Sequence, residues 1–259
     1  MSRLSLGRWR LPVLLILLSL LPIGASVYRI VVLASTDVAS VTSVDELRFF
    51  EMPISILLHV IFAVIFLVLG AFQFVPHLRI GAPSVHKLIG YFAALSGVIF
   101  AMSGVYMVFA YPSHSQGNVL IDFGRVLFGS AIPVFIGLGI LAAVLRDLAA
   151  HRAWMIRAYA LAASSGIQSY FIAFAFAING GFDAKLADAM MWLGWALGIF
   201  AAEWIIKGNV PRKRRLRFSC PPRGAAGAIL FALHLGRPAA SCRLLSAPRA
   251  RVRENTRDR

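Results

Sequence analysis

Long apolar runs dominate the chain, and its polar residues collect in the short segments between them. Six runs reach about 18 residues or more, the length at which an apolar segment predicts a transmembrane helix. They cover approximately residues 11–34, 53–75, 88–111, 126–145, 155–178 and 187–206. Apolar and polar residues do not alternate within them, as they do in the strands of a membrane barrel. The predicted fold is therefore an all-α, polytopic membrane bundle of about six transmembrane helices.

Charge predicts the orientation of this bundle. Basic residues and their neighbouring histidines fall before the first span, in the second and fourth connections and after the last span: Arg3, Arg8, Arg10, His77, Arg79, Lys87, Arg146, His151, Arg152 and 207–217. The opposite connections carry acidic residues: Asp37, Asp45, Glu46, Glu51, Asp122, Asp183 and Asp188. The positive-inside rule then predicts that both termini are cytoplasmic. A signal peptide ending near Ser26 is an alternative for the first span, but apolar residues resume after Arg29, so we expect a retained anchor.

Composition agrees with a membrane protein and separates a tail from it. The chain is 59% hydrophobic and 14% charged, whereas soluble domains carry about 25% charged residues. The net charge is +15, but fourteen basic and two acidic residues in 207–259 give that segment +12 and leave +3 for the rest. Without a helical or strand period, this Arg- and Pro-rich segment is predicted to be disordered. We expect a cytoplasmic N-terminus at 1–10, a six-helix transmembrane domain at 11–206 and a disordered basic cytoplasmic tail at 207–259.

The tail also indicates partners. Its basic residues favour anionic lipid headgroups, and a topology signal with no further role is the alternative. Nucleic acid is not expected as a partner, because the tail has no interleaved aromatic residues and no folded basic module. Both cysteines of the chain, Cys220 and Cys242, lie here, and two lone thiols give neither a disulfide framework nor the spacing of a metal site.

Small residues predict where the helices pack. Gly90, Gly97 and Gly104 recur every seven residues in the third span, and Gly194 and Gly198 are four residues apart in the sixth. Such faces let membrane helices approach closely, and they also allow homo-oligomers to form. No long-period repeat is present, so the pattern of inverted-repeat transporters is missing.

Polar residues at membrane depth are candidates for function, because they are costly to bury in lipid. One face of the second span carries several residues that we expect to point into the bundle: His59, Phe66, Gln73 and His77. The fifth span carries a polar stripe: Arg157, Ser164 and Gln168. For each of these side chains, a hydrogen bond within the bundle is the alternative to a functional role. Near the end of the sixth span, Glu203 precedes Lys207 by four residues, which predicts an ion pair.

Two histidines at the cytoplasmic face belong to different spans. His86 begins the third span and His151 leads into the fifth. Imidazoles from two helices commonly hold a haem iron, so the pair predicts metal ligands and haem b as cofactor. Arg152 and Arg157 are the expected contacts of haem carboxylates or lipid phosphates. The alternative for both arginines is snorkelling that fixes the orientation of the span. The sequence contains no HExxH and no GxSxG, so it does not predict a metalloprotease or a serine hydrolase.

Two segments resemble a known family. GAFQFVPHLRIGAPSVHKLIGYFAALSG and RDLAAHRAWMIRAYAL are similar to the uncharacterised bacterial membrane proteins of domain-of-unknown-function family 2306. That family carries an FQF segment, a His-basic-x-x-Gly motif before the next span and an HRxWMIRxYAL block. The resemblance runs from about His59 to Tyr170, with Lys87 where Arg is expected. It implies a multi-pass protein of the bacterial inner membrane and no particular activity.

The chain also resembles, over fewer residues, the transmembrane ascorbate-reducible b-type cytochromes, which pair histidines from alternate helices at each membrane face. His86 and His151 match one such pair, whereas at the other face His59 has only the loop residue His114. Our leading hypothesis is a b-type haem or quinone-linked membrane redox protein that uses His86 and His151. A small-solute transporter or permease and a non-catalytic membrane protein are the alternatives, and the absence of charges in the middle of the spans disfavours a transporter.

Overall fold

The structure, a computed structural model of the chain, describes residues 6–111, 119–181 and 183–208. The described chain is helical: α1 (Leu6–Ser35), α2 (Val44–Glu51), α3 (Pro53–Gln73), α4 (Pro76–Gly81), α5 (Pro83–Ala110), α6 (Val119–Val144), α7 (Leu148–Asn179) and α8 (Ala184–Gly208), with a short 3-10 turn at Val38–Ser40. Helices α1, α3, α5, α6, α7 and α8 are long and apolar enough to cross a membrane. The predicted all-α bundle of six membrane helices is confirmed. Nearly all of the predicted tail, from residue 209 onward, lies outside the described residues.

Five of the six spans begin earlier than their apolar runs, and three of the spans after α1 do so by five to seven residues. Helix α5 starts at Pro83 instead of residue 88, α6 at Val119 instead of 126, and α7 at Leu148 instead of 155. The apolar run predicts only the part of a helix that lies in hydrocarbon, whereas the polar first turns continue the same helix beyond it. Helix start signals identify two of these ends: Pro83 at the first position of α5 and Asp147, whose side chain accepts a hydrogen bond from the Ala150 backbone, before α7.

Membrane helices that follow one another along the chain run antiparallel. Helices α1, α3, α5, α6 and α7 each contact the next, and α7 contacts α1, so these five close into a ring. Helix α8 packs outside this ring against α7 and α6. We call the end at which α3 finishes and α5 and α7 begin the basic end, because Arg79, Lys87, Arg146 and Arg152 lie there; the other end, with Glu46, Glu51 and Asp122, is the acidic end.

The glycine repeat of α5 receives the polar face of α3. A Cβ atom placed on Gly104 would lie 2.9 Å from the His59 ring, one on Gly97 would lie 2.8 Å from the Phe66 ring, and one on Gly90 would lie 3.3 Å from the Gln73 side chain. Successive contacts are thus seven residues apart on both helices. The residue numbers rise along α3 as they fall along α5, so the two helices are antiparallel. The absence of a side chain on α5 lets the two antiparallel helices approach closely along their length.

The face of α3 ends at Gln73, which corrects the prediction for His77. Pro76 has no backbone N–H and cannot continue the helix, so the chain turns and His77 lies on α4. There the His77 ring packs beside Gly81 and its side chain is exposed at the basic end. His77 therefore does not share the inward-facing surface of His59, Phe66 and Gln73.

Polar and aromatic side chains tie α1, α2, α3 and α5 together at the acidic end. Arg29 of α1 forms an ion pair with Glu46 of α2, and its guanidinium lies 4.3 Å from the centre of the Phe49 ring. Tyr111, directly after α5, meets the Phe49 ring edge-on at 5.4 Å and donates a 3.1 Å hydrogen bond to the Met52 carbonyl. Burial raises the pKa of Tyr111, so its hydroxyl remains a donor at neutral pH.

Helix α1 is an integral part of the ring. Gly166 of α7 lies against the backbone carbonyl of Leu18, and the Tyr170 hydroxyl donates a 2.8 Å hydrogen bond to the Leu17 carbonyl. Ser19 is fully buried and bonds to the Leu15 carbonyl in its own helix. Packing and a hydrogen bond therefore hold α1 against α7.

Candidate functional site

His86 lies in the first turn of α5 at the basic end. Its side chain is half-buried, and its Nδ1 atom is enclosed without a hydrogen-bond partner among the described residues. Arg79 of α4 and His151 of α7 are close enough to interact with the ring electrostatically. Buried polar atoms are nearly always paired in folded proteins, so this nitrogen is a position at which a bound group or a water would be stabilised.

His151 is positioned by a tight turn between α6 and α7. Helix α6 ends at Val144 and is followed by a left-handed residue, Arg146 with φ of 62°; the Asp147 N–H returns to the Ala142 carbonyl at 2.9 Å. This turn sets the first turn of α7 against the end of α6, where His151 Nδ1 lies 2.8 Å from the Gly139 carbonyl. A carbonyl oxygen can only accept, so Nδ1 carries the proton. In the neutral ring Nε2 then keeps its lone pair.

The structure thus brings together the two histidines singled out in the sequence. They come from α5 and α7, lie at one end of the bundle and interact electrostatically. Within residues 6–111, 119–181 and 183–208, no group of three or more His, Cys, Asp and Glu side chains could hold a metal ion. Two imidazoles are nevertheless the complete protein ligand set of a bis-histidine haem, which supplies the other four iron ligands itself.

Gln73 lies in the seam between α3 and α5, one helical turn from His86. Its side chain packs against Gly90, which follows His86 by four residues and so shares its face of α5. The Gln73 Nε2 atom is buried and has no partner among the described residues. The basic end therefore carries two unsatisfied buried nitrogens, on facing surfaces of adjacent helices.

The two candidate arginines have different environments. Arg152 is exposed in the first turn of α7, at the level of the basic end. Arg157 is partly buried; its Nε donates a 2.6 Å hydrogen bond to the Glu203 carboxylate of α8, and its guanidinium lies 4.7 Å from the centre of the Trp154 ring. Glu203 therefore forms its hydrogen-bonded ion pair with Arg157, and Lys207, the partner that the spacing in α8 predicted, also interacts with the carboxylate electrostatically.

Helix α8 accommodates the whole polar stripe of α7. Besides the Arg157 ion pair, Gln168 Nε2 donates a 2.9 Å hydrogen bond to the Met191 carbonyl, and the buried Ser164 hydroxyl packs directly against Gly198. Gly194 is in contact with the Gln168 side chain. The small-residue face of the last span and the polar stripe of the fifth are thus two sides of one interface, which gives Gln168 a structural role.

His59 lies in the acidic half of α3, away from the other candidates. Its Nδ1 is 2.9 Å from the Phe100 carbonyl, to which it donates, and its ring packs against Gly104. His59 is therefore a packed histidine of the α3–α5 seam. The suggested loop partner, His114, lies outside the described residues.

Sequence reasoning missed Tyr159, which links α7 to α3. Its hydroxyl donates a 2.9 Å hydrogen bond to the Leu67 carbonyl, and its ring meets Phe66 and Phe74 at 5.9 and 5.2 Å. A Cβ atom on Gly70 would lie 2.5 Å from this ring. Tyr159 belongs to the HRAWMIRAYAL segment, whose residues face three different neighbours: His151 faces α6, Arg157 faces α8 and Tyr159 faces α3.

The FQF segment at the end of α3 also contacts several helices. Phe72 meets Trp9 of α1 at 6.5 Å, Gln73 packs against α5, and Phe74 meets Tyr159 of α7. The two segments that carry the resemblance thus touch at Phe74 and Tyr159. Residues 56–206, which span this junction and helices α3 to α8, match the family model described as "Predicted membrane protein (DUF2306)". The chain belongs to this family.

Membership in DUF2306 confirms the family suggested by the two segments. The match covers the site and its supporting helices, while α1 and the tail lie outside it. DUF2306 is described as a membrane protein without an assigned activity, so the family establishes a membrane location and leaves the chemistry of His86 and His151 open. Neither a search of curated proteins nor a search of solved structures finds a match to this chain.

Proposed function

We propose that this DUF2306 protein is a b-type haem protein of the membrane, in which His86 and His151 would hold the haem iron. The observation that carries the proposal is the position of these two histidines on α5 and α7 at the basic end, near enough to each other to interact electrostatically. His151 offers the lone pair of Nε2 because its Nδ1 is committed to the Gly139 carbonyl. Metal-binding histidines are typically fixed in this way by a hydrogen bond from their other ring nitrogen.

The unsatisfied nitrogens support a bound group at the same place. His86 Nδ1 is buried without a described partner, so coordination through one ring nitrogen and a hydrogen bond from the other would satisfy the imidazole. Gln73 is a candidate for that hydrogen bond, since its side chain packs one helical turn from His86, its amide is also unsatisfied, and the two ends of a carboxamide can exchange places by rotation. We assign Gln73 the role of orienting His86.

Arg152 and Arg157 have different roles in this proposal. Arg152 is exposed beside the site, where its guanidinium would complement the carboxylates of a haem or the phosphate of a lipid. Arg157 holds α7 against α8 through Glu203 and stabilises the helix that presents His151. A haem held by two histidines supplies one-electron transfer. The protein would bind and orient the group, and the apolar ring around it would exclude water.

Optical spectra of purified variants test this proposal. Protein expressed with supplied haem should show a Soret band and dithionite-reduced bands of a six-coordinate b-type centre. His86→Ala and His151→Ala should each abolish or strongly perturb these bands. His77→Ala is the matched control, because His77 is exposed at the same end on α4 and should leave the spectrum unchanged. A haem spectrum that survives both ligand substitutions would overturn the assignment.

A further inference from the structure

A cleft of about 690 Å³ lies between α3 and α5 at the acidic end, away from the histidine pair. Its walls are apolar and include Ile54, Leu58, Ile99 and Met102, and Ser55 and Glu51 lie near its mouth. Pockets that bind small molecules typically enclose about 300–1,000 Å³ and have mostly apolar walls with a few polar groups. The cleft has the size and composition of such a site.

The exposed walls indicate that its occupant comes from the bilayer. The Ile54 side chain is 72% exposed and that of Met102 is 48% exposed, although both belong to membrane-spanning helices. The cleft is therefore open sideways, at the depth where lipid chains surround the protein. A lipid acyl chain fits these walls better than a water-soluble molecule does. The acyl chain moves from apolar lipid to apolar protein, whereas a water-soluble molecule would have to leave water.

The mouth of the cleft is negatively charged. Glu51 is the only charged residue of its lining and is exposed at the last position of α2. Within the described part of the chain it forms no ion pair or hydrogen bond, whereas Glu46 is paired with Arg29 and Asp122 with Arg125. An unpaired carboxylate at the edge of an apolar cleft favours a cationic group as its partner.

We propose that the cleft binds a membrane lipid with a primary ammonium headgroup, as in phosphatidylethanolamine. An acyl chain of the lipid lies on the apolar walls, and the ammonium group donates hydrogen bonds to the Glu51 carboxylate. A quaternary ammonium headgroup has the same charge but no N–H donor, so it binds more weakly. An anionic phosphatidylglycerol headgroup is repelled. The site is independent of any haem at the basic end.

The test is native mass spectrometry of the full-length protein exchanged into mixtures of phosphatidylethanolamine, phosphatidylcholine and phosphatidylglycerol. The wild-type protein should retain phosphatidylethanolamine preferentially. Glu51→Gln should lower that preference by about fivefold, the upper range for one ion pair at a surface. Asp37→Asn is the matched control, because Asp37 lies at the same end outside the cleft and caps a turn through its side-chain oxygen, which asparagine retains.

A second variant tests the cleft itself. Ser55→Trp places a bulky side chain in the mouth and should reduce retention of all three lipids, whatever their headgroup. Thermal unfolding in vesicles checks that each variant is folded, and only the wild-type protein and Asp37→Asn should be stabilised by phosphatidylethanolamine relative to phosphatidylglycerol. Equal retention of the three lipids by the wild-type protein, or an unchanged preference in Glu51→Gln, would refute the proposal.

Discussion

At the scale of single residues, the structure explains the spacing of the glycines. Gly90, Gly97 and Gly104 were identified from their interval of seven, but the interval does not say what each one faces. The partners Gln73, Phe66 and His59 lie on α3, and only the antiparallel register of the two helices pairs them. The sequence therefore predicted both surfaces, and the pairing required tertiary structure.

Gly97→Ala should destabilise the protein. Its Cβ atom would lie 2.7 Å from Ile136 and 2.8 Å from the Phe66 ring, so these buried side chains must move, at a cost of about 1–3 kcal/mol. Gly137→Ala is the control, because Gly137 lies within α6 with no atom within 4 Å of the added methyl group. That change should be neutral or slightly stabilising, since alanine favours helix. Thermal unfolding in detergent measures both, and equal midpoints would contradict the packing described for the seam.

At the scale of elements, helix α7 organises the bundle by contacting α1, α3, α6 and α8. The polar stripe of α7 was predicted from the sequence. Arg157, however, was expected at the membrane surface, and Glu203 was expected to pair with Lys207, because only local spacing was available. The actual partners are 46 residues apart in the chain. Likewise α2, with eight residues, is too short to give an apolar-run signal, although it carries Glu46 and Glu51.

A double-mutant cycle measures the contribution of this interface. Arg157→Gln and Glu203→Gln should each lower the unfolding midpoint, and the double variant should lose less than the sum, with a coupling of about 1 kcal/mol. The cycle of Arg125 and Asp122 is the control, because that pair is three residues apart on one helix with more than 30% of each side chain exposed. Its coupling should be close to zero. If the two cycles give the same coupling, the Arg157 ion pair does not hold α7 to α8.

At the scale of the whole molecule, apolar runs were sufficient to predict six membrane helices, because the thickness of hydrocarbon sets their length. The charge pattern contained exceptions, since four basic residues lie at the acidic end: Arg29, Arg48, Arg125 and Lys185. Arg29 and Arg125 are each paired with a carboxylate, Glu46 and Asp122 respectively. The orientation therefore remains a prediction from the unpaired basic residues at the opposite end. For the site, the sequence singled out His86 and His151, whereas the position of Gln73 against Gly90, one helical turn from His86, depends on the fold.

Reporter fusions test this orientation. Fusions after Leu145 and after Ile206 should report the cytoplasm, because the basic end is expected to remain inside. A fusion between Tyr111 and Asp122 should report the opposite side of the membrane. Neutralising the acidic-end pairs by Glu46→Gln and Asp122→Asn would leave Arg29 and Arg125 uncompensated and should weaken the orientation bias. A reversal of any of the three reporters in the unaltered protein would disprove the predicted topology.

The central functional claim is that one pair of histidines, at one end of the bundle, holds one haem. The most direct measurement is the amount of haem b per polypeptide in purified full-length protein expressed with supplied haem. We predict one haem per chain, because His86 and His151 lie at the same end of the bundle and interact electrostatically, while His59 is hydrogen-bonded and packed within the α3–α5 seam. A value of zero would show that the basic end holds no haem, and a value of two would show that a second ligand pair exists; either result would contradict the account.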